Sequence, residues 1–265
     1  MNKETSYGIC LYCNKPVSKT QVNRHMQKHL ADKTRIDKPG KSFLLKIEPN
    51  PRWGNTPYFL SLWVDGNASL EMIDNFLRRI WLECCGHMSA FTNKKQQRTK
   101  ASMWDFFEAE SLLEAGKIKE YEEIMEETRG EIPKHRRAKD ALHTDMKIEY
   151  QYDFGSTTEL SITIAGEYPV QAEENIVLLT RNEPPELLCA SCGKEAAVAI
   201  CTACYNADNV FCAKCAKKHA KTCSDFADYA AMPVVNSPRM GVCGYEGGTI
   251  DKKRDGVFER NKRAS

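Results

Sequence analysis

LLCASCGKEAAVAICTACYNADNVFCAKCAKKHAKTC, residues 187–223, sets seven cysteines and one histidine in one short run. The spacing is C-x2-C-x8-C-x2-C-x7-C-x2-C-x3-H-x3-C. Each C-x2-C pair delivers two thiolates from one tight turn, and zinc takes four soft or borderline ligands in a tetrahedron, so eight ligands make two complete sites. Alternate pairing would set Cys189, Cys192, Cys212 and Cys215 at one ion, with Cys201, Cys204, His219 and Cys223 at the other. Sequential pairing satisfies the same spacing. Full ligation by protein leaves no open position for water, which points to structural zinc. A run this short buries too little to fold alone, whereas structural zinc supplies on the order of 10 to 16 kcal/mol to such modules.

A second ligand set lies near the start of the chain. CLYCNKPVSKTQVNRHMQKH, residues 10–29, places Cys10 and Cys13 against His25 and His29 as C-x2-C-x11-H-x3-H. Histidines four apart share one helical face, and Val17 and Val22 supply a small apolar core between helix and turn. Three zinc ions are expected in all. The helix is also polar enough to meet phosphates or base edges, through Lys19, Arg24 and Lys28. A zinc-pinned, protein-binding element with a solvated basic face fits the same residues.

Charge is unevenly placed. The formal net charge is only +2, yet residues 1–46 hold ten Lys/Arg against three Asp/Glu, while 103–131 hold ten Asp/Glu against three Lys/Arg. Nucleic-acid contact is therefore expected only near the ends. The apolar runs YFLSLWV and ENIVLLT fall far short of the roughly 20 residues of a membrane span, and the polar opening MNKETSYGICLYCNK is unlike a secretory leader. Clustered C-x2-C pairs then read as ligands in a reducing, cytoplasmic setting.

Between the cysteine clusters the pattern changes to that of a packed domain. SFLLKIEP and TPYFLSLWV are strand-like. NASLEMIDNFLRRIWLECC puts Leu70, Ile73, Phe76, Leu77, Ile80, Trp81 and Cys84 on one helical face, with Asn67 or Ser69 as its cap. Residues 103–130 read as helical, divided at Gly116 and stopped at Gly130. KIEYQYDFG and TELSITIAGEY alternate apolar and polar residues across a turn. Asp153 in that turn would cap backbone amides or bind a cation. Cys84, Cys85, His87 and Cys243 suggest a third kind of site. Adjacent cysteines on a helix point apart, so Cys84 is expected in the core. Cys85 with His87 is the one enzyme-like pair, open to a thiol- or metal-dependent hydrolase, with Asp153 as a further candidate.

Two resemblances follow from these residues. Residues 189–223 resemble B-box zinc modules and, more loosely, MYND fingers, apart from ending in a single histidine followed by Cys223. DNFLRRIWLECCGHMSAF and YQYDFGSTTELSITIAGEY resemble the Ri-plasmid Orf-three-like domain family, a likeness that extends over roughly residues 41–180, and the later MPVVNSPRMGVCGYEGG resembles the tail of its zinc-bearing members. Where that family often carries IWRR after its first strand, this chain reads NPRWGNTPYF. The likeness implies an α+β domain, an antiparallel sheet backed by helices, and no particular activity.

The expected organisation is a C2H2-like finger at 1–33, a central α+β domain at 41–182, a cross-braced double-zinc module at 186–226, and a tail at 227–265. That tail is expected to pack in part on the central domain and to end basic and flexible. Function is expected to be that of a scaffold recruiting protein or nucleic acid, away from membranes.

Overall fold

The computed structural model describes residues 6–33, 38–93, 103–204 and 209–252, without the side chain of Trp53. The connector at 34–37 and the basic end of the tail at 253–265 lie outside the described residues. The chain divides into two compact units. One is built from Tyr7–Asn75 and Met88–Arg181, the other from Phe76–His87 and the described part of Asn182–Ser265.

In the first unit, β1 (Tyr7–Ile9) and β2 (Pro16–Ser18) form a hairpin ahead of α1 (Val22–Lys33). After them come β3 (Pro39–Pro49), β4 (Leu60–Asp65), α2 (Leu70–Leu77), β5 (Ser89–Thr92), α3 (Met103–Glu114), α4 (Ile118–Arg129), β6 (Glu131–Ile132), α5 (Ala138–Ala141), β7 (Lys147–Tyr152), β8 (Thr158–Val170) and β9 (Ile176–Arg181). Among the described residues, seven strands join in one sheet, ordered β6-β5-β7-β8-β3-β4-β9 with every neighbour antiparallel. This is the α+β architecture the pattern implies.

Successive strand residues face opposite sides, and β4 and the middle of β3 are buried on both. Leu44 and Trp63, paired across β3 and β4, share a core with Val22, Met26 and Leu30 of α1. The small core expected around Val17 and Val22 is thus continuous with that of the sheet. Phe43, Leu45, Tyr150 and Ile162 belong to the opposite face. There Tyr150 Oη donates to Asp74 Oδ1 at 2.6 Å, holding α2 over the sheet.

The amphipathic stripe is largely as expected, with Leu70, Ile73, Leu77, Ile80 and Trp81 buried and Phe76 half-buried. Met72 N–H donates to Ser69 Oγ at 3.3 Å, so Ser69 is the cap. The helix does not reach Cys85, however. It passes into a π turn at Arg78–Leu82, closed by Glu83 N–H on Arg78 O at 2.8 Å, and Glu83 is already extended. Residues 103–130 divide as the glycines imply, with Gly130 left-handed (φ 65°) at the end of α4.

The second unit adds β10 (Ala199–Cys201), β11 (Val210–Phe211), α6 (Ala213–His219) and β12 (Ala231–Pro233), with the strands in the order β11-β10-β12. Its residues 237–250 fasten to the π turn of the same unit. Ser237 Oγ donates to Trp81 O at 2.6 Å and Thr249 N–H to Arg79 O at 2.7 Å. Gly248 is required by the close approach, since a Cβ there would stand 2.5 Å from Ile80 O.

Candidate metal centres

Zinc bonds of about 2.3 Å to sulfur and about 2.0–2.1 Å to imidazole nitrogen put tetrahedral ligand atoms about 3.3 to 3.8 Å apart. Among the described residues, four Cys/His sets gather ligand atoms within 4.8 Å of one another.

The first set is Cys10, Cys13, His25 and His29. The β1–β2 hairpin holds the two cysteines, and Asn14 takes a left-handed φ of 56° to close the knuckle, donating its N–H to Cys10 O at 2.8 Å. One turn of α1 separates the histidines. Cys13 Sγ lies 3.4 Å from His25 Nε2, which is 3.2 Å from His29 Nε2, both near the edges of a zinc tetrahedron. Burial, then the charges of His29, Lys15 and Lys28, hold His25 below the usual imidazole value and favour the neutral form that ligates metal.

The next two sets are Cys189, Cys192, Cys212 and Cys215, and Cys201, Cys204, His219 and Cys223. This is the alternate pairing, and the hairpin register explains it. Ala199 pairs with Phe211, so Cys201 and Cys204 leave one end of the β10–β11 hairpin while Cys212 emerges at the other. The knuckle of Cys189 sits at the latter end, where Leu188 bridges Ala196 and Val198 N–H donates to Phe211 O. Sequential pairing would have to draw ligands from both ends. α6 supplies Cys215 to one set and His219 to the other, which braces them together. The His219 ring stacks on Phe211 at 4.3 Å and meets Phe226 edge-on at 4.9 Å, with Nε2 3.6 Å from Cys204 Sγ. Burial raises the Cys189 thiol, but N–H donors from Cys212, Cys192 and Ser191 outweigh it and bring the group to about 6.

The fourth set joins Cys84, Cys85, His87 and Cys243. Cys85 Sγ is 3.6 Å from Cys84 Sγ, 3.8 Å from Cys243 Sγ and 3.0 Å from His87 Nε2. The expectation that adjacent cysteines point apart assumed a helix, and these two follow the extended Glu83. Cys84 is half-buried, packed by the Met232, Val235 and Tyr245 core, with Arg239 Nη2 3.5 Å from its sulfur. Hydrogen bonding with Cys84, then burial and Cys243, push the Cys85 thiol up to about 12. An activated nucleophile needs the reverse shift.

The remaining candidates fall elsewhere. Asp153 accepts from Gly155 N–H at 3.0 Å and Ser156 N–H at 3.2 Å, capping its own turn. Lys19 is engaged within the fold, donating to Thr56 O at 2.9 Å and pairing with Glu48 at 3.1 Å. Arg24 and Lys28 are exposed on α1. No helix among the described residues is long and apolar enough to cross a membrane.

No family model matches the chain, and no curated protein matches it. Among solved structures it is similar to the crystal structure of MM3350, a protein of unknown function from Methanosarcina mazei Go1. The identity is 13% and the TM-score 0.34, over 53% of this chain and 67% of that one.

Proposed function

We propose that this chain is a non-enzymatic, zinc-stapled scaffold that recruits a protein partner through the α3–α4 hairpin. The observation that carries the reading is a large apolar set exposed on an acidic element: Trp104 is 79% exposed, Met103 72% and Phe107 56%. Apolar patches of this kind mark interaction sites, and aromatic residues are frequent anchors in them. Residues 103–131 carry ten acidic against three basic side chains. Such a surface suits a basic segment with apolar anchors of its own and repels nucleic acid.

The metal sets support a scaffold over a hydrolase. Three of them supply four protein ligands each, two C-x2-C pairs or one pair with two further ligands, for three structural zinc ions in a reducing, cytosolic setting. The central domain resembles the Ri-plasmid Orf-three-like family, a likeness that implies no reaction. A second reading, nucleic-acid binding, rests on the exposed Arg24 and Lys28.

Fluorescence polarisation with the zinc-replete full chain tests both. The probes are a labelled lysine-leucine amphipathic peptide, a short duplex and a single-stranded oligonucleotide. The peptide should bind in a salt-sensitive way, and Trp104→Glu with Phe107→Glu should weaken it by about tenfold or more. If instead an oligonucleotide binds, and Arg24→Gln or Lys28→Gln lowers its salt slope by about one unit, the nucleic-acid reading takes its place. Binding of none of the probes would remove both.

A further inference from the structure

We propose that Cys84, Cys85, His87 and Cys243 hold a fourth zinc ion, which clips the segment around Cys243 to the π turn Arg78–Leu82. This goes beyond the three zinc ions of the scaffold reading and stands on different residues.

Geometry carries the inference first. The separations of 3.6 and 3.8 Å between sulfurs match the edges of a zinc tetrahedron, and those of 3.0 and 3.2 Å from His87 Nε2 to Cys85 and Cys243 lie within about 0.3 Å of its shortest edge. A disulfide would need its sulfurs at about 2.05 Å. Three thiolates with one imidazole form a set that selects a thiophilic dication over a hard one. All four positions are filled by protein, so the ion is structural.

The backbone is shaped for it. Gly86 follows the second cysteine with a left-handed φ of 77°, as Gly193 does after Cys192 (63°) and Asn14 after Cys13 (56°). Cys243 itself is left-handed (φ 49°), between Gly241 and Gly244 with φ of 78° and 68°. A side chain in that region is sterically disfavoured, and such strain persists where a site requires it.

Charge closes the argument. Three thiolates and a dication leave a net charge of minus one. Arg239 is fully buried, and its guanidinium lies 3.5 Å from Cys84 Sγ, where it offsets that charge and donates to the ligand. The segment carrying Cys243 already meets the π turn through Ser237 and Thr249. The ion locks a contact whose two halves are far apart in sequence.

Native mass spectrometry of the full chain, reconstituted with zinc under reductant, gives the count. Wild type should hold four ions, and Cys243→Ser and His87→Ala three each. Iodoacetamide labelling of the wild type provides a readout independent of any variant's folding. Cys84, Cys85 and Cys243 should be protected in replete protein and become reactive together on chelation. Three ions in wild type with those three cysteines alkylated as free thiols would overturn the proposal, as would four ions retained by Cys243→Ser. Failure of the scaffold reading is distinguishable, because recruitment is read by the peptide probe, and loss of the zinc ions that reading assumes would show as alkylation of the cysteines of 189–223 as well.

Discussion

Asp74 is a carboxylate almost wholly withdrawn from water, at 4% exposure, and it is held there by hydroxyls. Tyr150 Oη and Ser89 Oγ each donate to Oδ1 at 2.6 Å, and Lys134 Nζ lies 3.6 Å from Oδ2 while donating to Ser89 Oγ. Removing the carboxylate strands buried donors that water cannot reach, so Asp74→Ala should cost about 3 kcal/mol in urea unfolding of zinc-replete protein. Asp74→Asn keeps an acceptor and should lose visibly less. Equal losses would mean that the network does not depend on an acceptor at this position. None of this was legible beforehand, since Asp74 reads as one polar position beside an apolar stripe, and its partners lie 15 and 76 residues away. The left-handed residues that close the knuckles were more accessible to reasoning at Gly86 and Gly193, because glycine after a cysteine turn is a conformational signal.

At the scale of elements, periodicity carried far and register did not. The stripe of Leu70, Ile73, Leu77 and Trp81 is legible from spacing alone, and Leu77 is fully buried as that spacing implies. Leu77→Ala should therefore lose about 2 to 5 kcal/mol through transfer energy and a cavity. A loss under about half a kcal/mol would show the side chain to be exposed, with the helix rotated about its axis. Where the helix stopped was not legible, because residues 78–85 continue the apolar pattern while the backbone widens into a π turn. That single change of backbone is what frees Cys84 and Cys85 to converge. The same limit applies to the cysteine cluster of residues 189–223. Spacing admitted two pairings, and the choice came from the two-strand register that separates Cys201 from Cys212. The first finger's helix is a third case: Met26 and Leu30 continue the face of Val22, yet that this face meets Leu44 and Trp63 is tertiary information.

At the scale of the whole molecule, candidate metal-ligand sets among the described residues occur in both units, one in the sheet unit and three in the other. The second unit has small apolar clusters around Phe211, Phe226 and Ala230, and around Met232, Val235 and Tyr245. Cores of that size do not offset chain entropy alone, so its stability is expected to follow the metal. The sheet unit is different, because strands buried on both faces supply a core of their own. Hydrogen exchange of the full chain under reductant, zinc-replete against chelator-stripped, tests this most directly, with metal loss verified by mass. Stripping should abolish protection across β10, β11 and α6 while the amides of β3, β4 and β8 remain slow to exchange. Unchanged protection over residues 189–223 in verified metal-free protein would contradict the account.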